Sequence, residues 1–172
     1  MLFRSQEADS LWMERLTNKF GDYTVVGDGL DGSGSGEHCA IFFRSSMFRL
    51  IESGTKWLSN SPDSKGSVYS YTENGKTYKA NYSRIMTYVV LQRKDNGAKF
   101  LYVNTHLDNN GKNEHDIAEK IREGEVHNMM KLINGITSRF GNIPVIANGD
   151  FNVLPFVRLA YNAMTGDRKS VV

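Results

Sequence analysis

Two short polar runs, each closing an apolar stretch, hold most of the chemistry this chain can do. Asn104-Thr105-His106-Leu107-Asp108 follows the β-like run 100–103, and Gly149-Asp150-Phe151-Asn152 follows the run 143–147. Carboxylates, carboxamides and an imidazole at strand ends suit a phosphate ester held by a hard divalent ion. Hydrolysing such an ester requires neutralised phosphoryl oxygens, an activated water and a stabilised leaving oxygen. Mg²⁺ takes one or two carboxylates and leaves room for water and phosphate, and it makes water more acidic. In that chemistry Asp150 would orient or deprotonate the attacking water. Asn152 would donate its amide to a phosphate oxygen as charge develops. The competing reading of Asp150-Phe151-Asn152 is an Asx-type turn capping the next helix. His106 can donate to phosphate or be held by a carboxylate; taken alone, it reads as a structural histidine first.

With Gln6-Glu7 near the start and Arg84 before a third apolar run, these pieces fall in one order along the chain. Together they resemble the endonuclease/exonuclease/phosphatase family, the deoxyribonuclease I-like metal-dependent phosphoesterases. The runs 37–43 and 52–59 also look like strands of that family, so the likeness extends over almost all of residues 6–166. The resemblance implies that Glu7 is a ligand for Mg²⁺ (or Mn²⁺), that His106, Asp150 and Asn152 are catalytic, and that Arg84 and Asp108 bind substrate. Seen without it, Glu7 is a surface carboxylate at a helix N-terminus and Arg84 a salt-bridge arginine at a sheet edge. The family's first-strand asparagine and its C-terminal Ser-Asp-His segment have no counterpart here. The expectation is a Mg²⁺-dependent phosphoric ester hydrolase in the full-length parent, with this fragment inactive. The alternative is a noncatalytic binding or pseudoenzyme module on the same scaffold. The intact Glu7, His106, Asp150 and Asn152 argue against decay. The substrate is a phosphate ester, with nucleic acid, a phospholipid headgroup and a small phosphoester left open, because fold and motif do not choose it.

The elements that must position these residues are legible in outline. Residues 8–20 read as a helix with an apolar stripe of Leu11, Trp12, Leu16 and Phe20, capped by Asp9 or Ser10 and stopped at Gly21. Residues 23–27 are a short strand, and the Gly-rich stretch 28–36 is a mobile connector. Residues 38–44 and 48–58 are successive strands about Ser45-Ser46. A hairpin signal lies at Asn74-Gly75, with Tyr69, Tyr71, Tyr78 and Tyr82 forming either one hairpin face or an aromatic wall facing substrate. Residues 84–92 and 99–104 pair about Asp95-Asn96-Gly97. Residues 114–139 are a helix on the spacing of Ile117, Ile121, Met129, Leu132, Ile133, Ile136 and Phe140, weakened at Gly124 by about 1 kcal/mol relative to alanine. A buried strand at 143–147 and another helix from 155 to 164 follow. Hairpins mixed with helical crossovers imply a layered α/β sandwich. The resemblance makes it an incomplete four-layer one, two mostly antiparallel sheets flanked by helices and truncated at both ends, exposing apolar surface and unpaired strand edges.

At 172 residues the chain has room for one domain. A formal charge of +2 gives no support to a polyanion-binding surface. No apolar run approaches the ~20 residues of a membrane span. The expected compartment is left open between cytoplasmic and secreted for a soluble protein, and no obligate protein partner is evident. Cys39 is alone, so it reads as a small buried hydrophobe. Of the other histidines, His38, His115 and His127 lack metal-ligand spacing. Codons that can encode residues 2–5 and 167–172 match a common sequencing adapter read in opposite orientations. The expected domain is therefore 6–166, with 1–5 and 167–172 as non-native ends.

Overall fold

The computed structural model describes residues 1–34, 36–109, 114–153 and 163. Its centre is a four-stranded sheet in the order β4-β7-β8-β9, built from β4 (Phe48–Trp57), β7 (Ile85–Arg93), β8 (Lys99–His106) and β9 (Val145–Asp150). β7 and β8 are apolar almost throughout because each is covered on both faces. Met86, Tyr88, Val90, Leu101 and Val103 pack against Val126, Met129, Ile133 and Ile136 of α2 (His115–Arg139). The alternate residues Val89, Leu91 and Tyr102 pack against Ile41 and Phe43 of a second sheet. That sheet has the order β1-β3-β2, from β1 (Leu2–Arg4), β2 (Tyr23–Val26) and β3 (Ile41–Arg44). Its far face holds Phe3, Phe20, Tyr23 and Phe42, with Phe3 stacked on Phe42 at 4.7 Å between centroids. Phe20 caps α1 (Ser10–Lys19). The layers thus run helix, sheet, sheet, helix, an incomplete α/β sandwich.

Asp9 caps α1 as expected, its carboxylate accepting from the Trp12 amide at 2.8 Å. The expected stripe is not buried: Leu11 and Trp12 stay more than half exposed, and the helix end docks through Phe20. Leu2–Arg4, set outside the domain on codon grounds, pairs as β1 with β3. The Gly-rich connector is tied down at the residues described: Leu30 N–H donates to Glu37 O, and Trp57 Nε1–H to Leu30 O at 2.7 Å. The hairpin of β5 (Ser70–Glu73) and β6 (Lys76–Lys79) turns on Asn74 and Gly75, both at positive φ, as a type I′ turn demands. Tyr71 stacks on Tyr78 across it, which settles that pair as a hairpin face. The helix expected over 155–164 lies outside the described residues apart from Ala163.

The feature that matters for chemistry is β8-α2-β9. Parallel strands need a long crossover, and α2 supplies it. β8 and β9 therefore run the same way in register, with Asn104 beside Asn148, Thr105 beside Gly149 and His106 beside Asp150. β9 is not the buried strand expected from its composition. It ends the sheet, no described strand pairs with its outer edge, and Val145 and Ile146 are 40% and 50% exposed.

Candidate active site

Parallel pairing delivers the two polar runs to one end of the central sheet. His106 and Asp150 are register partners, and His106 Nε2 lies 4.0 Å from Asp150 Oδ2. Gly149 sits within β9 rather than at a turn. A Cβ there would run into the Thr105 carbonyl, so glycine is what lets the two strands close together. Glu7, just after β1, reaches the same end of the sheet with its Oε1 3.8 Å from His106 Nε2. Glu7 is held at φ 55, a left-handed conformation uncommon for a residue with a side chain. Ala8 is pinned after it, its carbonyl accepting from the His38 amide at 2.9 Å and facing His38 Nδ1 at 3.0 Å.

Glu37 completes the cluster. Glu7, Glu37 and His106 each offer a ligand atom within 4.8 Å of the others. Sequence reasoning treated Glu37 only as part of a family-like run. Its signal was a carboxylate placed directly between a Gly-rich connector and a buried strand. Glu7, Glu37, Tyr82, Arg84 and His106 line a cleft of about 340 Å³. Two larger clefts lie elsewhere, one beside Lys131 of α2 and one beside Met47. Titratable groups converge on the smaller one, and that makes it the candidate site.

Arg84 is buried immediately before β7, not at a sheet edge. Its Nη1 donates to His106 Nδ1 at 3.2 Å, its guanidinium lies over the Tyr82 ring, and its Nε faces Asp108 Oδ1 at 3.6 Å without a hydrogen bond on either atom. Arginine has donors only, so His106 Nδ1 must accept and a neutral ring carries its proton on Nε2. Burial and then the Arg84 cation hold the His106 pKa below its ordinary value, while Asp150, Glu7 and Glu37 pull it up. The neutral ring therefore points an Nε2–H at the carboxylates and the cleft.

Asp108 is wholly buried. Its Oδ2 accepts from the Asn81 amide and side chain at 3.2 and 3.3 Å, so it faces Arg84 and Asn81 rather than the cleft. Asn152 adopts φ 49, and its N–H donates to Asp150 Oδ1 at 2.9 Å, the Asx-type turn weighed from sequence. Its Nδ2 donates to Leu107 O at 2.9 Å, which locks the segment after β9 onto the end of β8. His38 is buried, and His115 and His127 are exposed on α2.

The donor set fits a hard divalent cation. Glu7 and Glu37 are exposed carboxylates able to turn toward an ion, and His106 can either join them or donate its Nε2–H to an anion beside it. No helix among the described residues is long and apolar enough to cross a membrane.

No family model matches the sequence, and no curated protein matches it. Solved structures do. An endonuclease/exonuclease/phosphatase family protein from Bacteroides thetaiotaomicron is 30% identical with a TM-score of 0.76, over 96% of this chain and 54% of that one. A second, from Bacteroides vulgatus, is 27% identical with a TM-score of 0.79, over 97% and 57%. A mannosyl-6-phosphatase from Bacteroides thetaiotaomicron is 30% identical with a TM-score of 0.78, over 96% and 55%. The chain thus spans little more than half the length of these relatives. Its layers and these likenesses agree: the chain has the fold of the endonuclease/exonuclease/phosphatase family.

Proposed function

We propose that the whole protein containing this chain is a metal-dependent phosphoesterase, cleaving a phosphodiester or phosphomonoester bond with an activated water. The observation that carries this reading is the meeting of Glu7, His106 and Asp150, from three distant parts of the sequence, within 4.0 Å of one imidazole nitrogen. Glu7 and Glu37 would hold Mg²⁺ or Mn²⁺, which when bound supplies positive charge to phosphoryl oxygens and acidifies water. His106 donates its Nε2–H to a phosphoryl oxygen, with Arg84 fixing the tautomer from behind. Asp150 accepts the proton of the attacking water at its exposed carboxylate. Asn152 steadies Asp150 through its backbone N–H and offers its remaining amide hydrogen to the substrate. Arg84 adds positive charge beneath the phosphate, and Asp108 serves the substrate by orienting Arg84.

The family resemblance calls for a Ser-Asp-His segment that the sequence after Asn152 does not supply. Residues 1–172 alone are therefore expected to show no Mg²⁺- or Mn²⁺-dependent hydrolysis of bis-p-nitrophenyl phosphate, p-nitrophenyl phosphate or mannose 6-phosphate. The uninterrupted reading frame is expected to show it, with mannose 6-phosphate in the panel because a 30% identical relative is a mannosyl-6-phosphatase. Asp150→Ala should lower kcat by about 10²–10⁴, the usual contribution of a positioned base. Metal-dependent turnover by residues 1–172 that Asp150→Ala abolishes would show the chain to be complete enough for catalysis. A full frame without turnover that still binds phosphate esters would make this a binding module.

A further inference from the structure

We infer that Asn104 is a positioning residue of the cation site: from β8 it ties together the two chain segments that carry Glu7 and Glu37. The inference rests on the proposed reading of Glu7 and Glu37 as cation ligands. Asn104 is fully buried. Its Nδ2 donates to Ser5 O at 2.8 Å and to Ala40 O at 3.0 Å, and its Oδ1 accepts from Gln6 Nε2. Both amide hydrogens and the carbonyl oxygen are thus committed to atoms one to three residues from a candidate ligand. Ser5 N–H also donates to Ala40 O at 3.0 Å, so the two segments close on the same carboxamide.

Two further observations turn this staple toward the site. Glu7 has its backbone in the left-handed region, a conformation that persists only where its surroundings over-determine it. Asn104 grips Gln6 on one side of that residue, and His38 grips Ala8 on the other. The Glu7 side chain is 66% exposed, so the backbone rather than packing decides where its carboxylate starts. No other residue type does the same work at position 104. Aspartate has the shape but no hydrogens and would bury a charge, and leucine would take the Asn104 donor from Ser5 O and the acceptor from Gln6 Nε2, leaving Ala40 O only the Ser5 N–H.

The test is Mn²⁺ binding to the 172-residue chain, followed by electron paramagnetic resonance, together with amide exchange in the absence of metal. Asn104→Ala is expected to weaken Mn²⁺ binding about 10–100-fold, as loss of a residue that orients metal ligands does. Ile133→Ala, a cavity in the core under α2 at a residue that does not line the cleft, is expected to lower stability and leave Mn²⁺ affinity unchanged. The His38 amide, bonded to Ala8 O, should exchange faster in Asn104→Ala than in an Ile133→Ala protein of equal stability. Wild-type Mn²⁺ affinity in Asn104→Ala overturns the inference and leaves the cation site standing. If wild type binds no better than Glu7→Gln, the cation reading itself fails, and unchanged exchange at His38 then removes the staple as well. Should Asn104→Ala not fold, Gln6→Ala removes only the bond to Oδ1. It is expected to weaken Mn²⁺ severalfold, and no change would overturn the inference.

Discussion

The residue that most resists its surroundings is Glu125. It lies wholly inside α2, with Oε2 accepting from the Asp108 amide at 2.8 Å and Oε1 without a hydrogen-bond partner. Burial pushes its pKa from an ordinary 4.5 up to about 8. Arg122 and Glu119 lie buried beside it, and Arg122 Nη1 donates to the Asp108 carbonyl at 3.1 Å. Polar groups of α2 thus grip the main chain just after His106. A group whose folded pKa is raised stabilises fully below its unfolded pKa and loses that contribution as pH rises through the folded value. The melting temperature should therefore fall between about pH 4.5 and pH 8, and Glu125→Gln should flatten that slope and raise the melting temperature at pH 8. Equal slopes in the two proteins would show that another group controls the titration. At Cys39 the outcome is simpler. Burial raises the thiol pKa to about 12, consistent with a small core hydrophobe and not a reactive thiol.

Among elements, α2 shows how local preference yields to packing. Its apolar spacing is enough to predict a helix, and Ile121, Met129, Ile133 and Ile136 are buried as expected. Ile117, Leu132 and Phe140 are only partly covered, while Glu119, Arg122 and Glu125 are buried. Periodicity cannot reveal those three, because Arg122 and Glu125 bond the main chain at Asp108, on another element, and Glu119 is buried with Arg122 as its ion-pair partner. Gly124 gives the same lesson. By propensity it costs the helix about 1 kcal/mol, yet a Cβ there would overlap the ring of Tyr69. Gly124→Ala should destabilise by about 1–2 kcal/mol, since displacing a packed ring outweighs the gain in propensity. In a Tyr69→Ala background the same substitution should stabilise by roughly 1 kcal/mol. Urea unfolding of the four proteins gives the sign directly, and a loss in both backgrounds would mean that Tyr69 is not the obstacle.

The whole molecule is a sandwich whose central sheet, among the described residues, ends in β9. The outer edge of β9, with no described strand beside it, displays Val145 and Ile146. Such an edge invites pairing with another chain. The 172-residue chain is expected to self-associate as concentration rises in sedimentation velocity, and Ile146→Lys should shift it toward monomer. Unaltered association in that variant would place the contact elsewhere. The same strand decides the site, because only a parallel β8-α2-β9 unit puts His106 and Asp150 side by side.

Periodicity, turn chemistry and motif order are local properties of a chain, and they are enough to predict α1, α2, the hairpins, the two polar runs at strand ends and the family these resemble. Folding alone brings Glu37 to Glu7 and His106, turns Asp108 inward to Arg84, sets the histidine tautomer through Arg84 and lets Asn104 bind three segments together. Those facts depend on contacts between residues far apart in the chain, and their hydrogen bonds and burial do not exist until the two sheets close on one another.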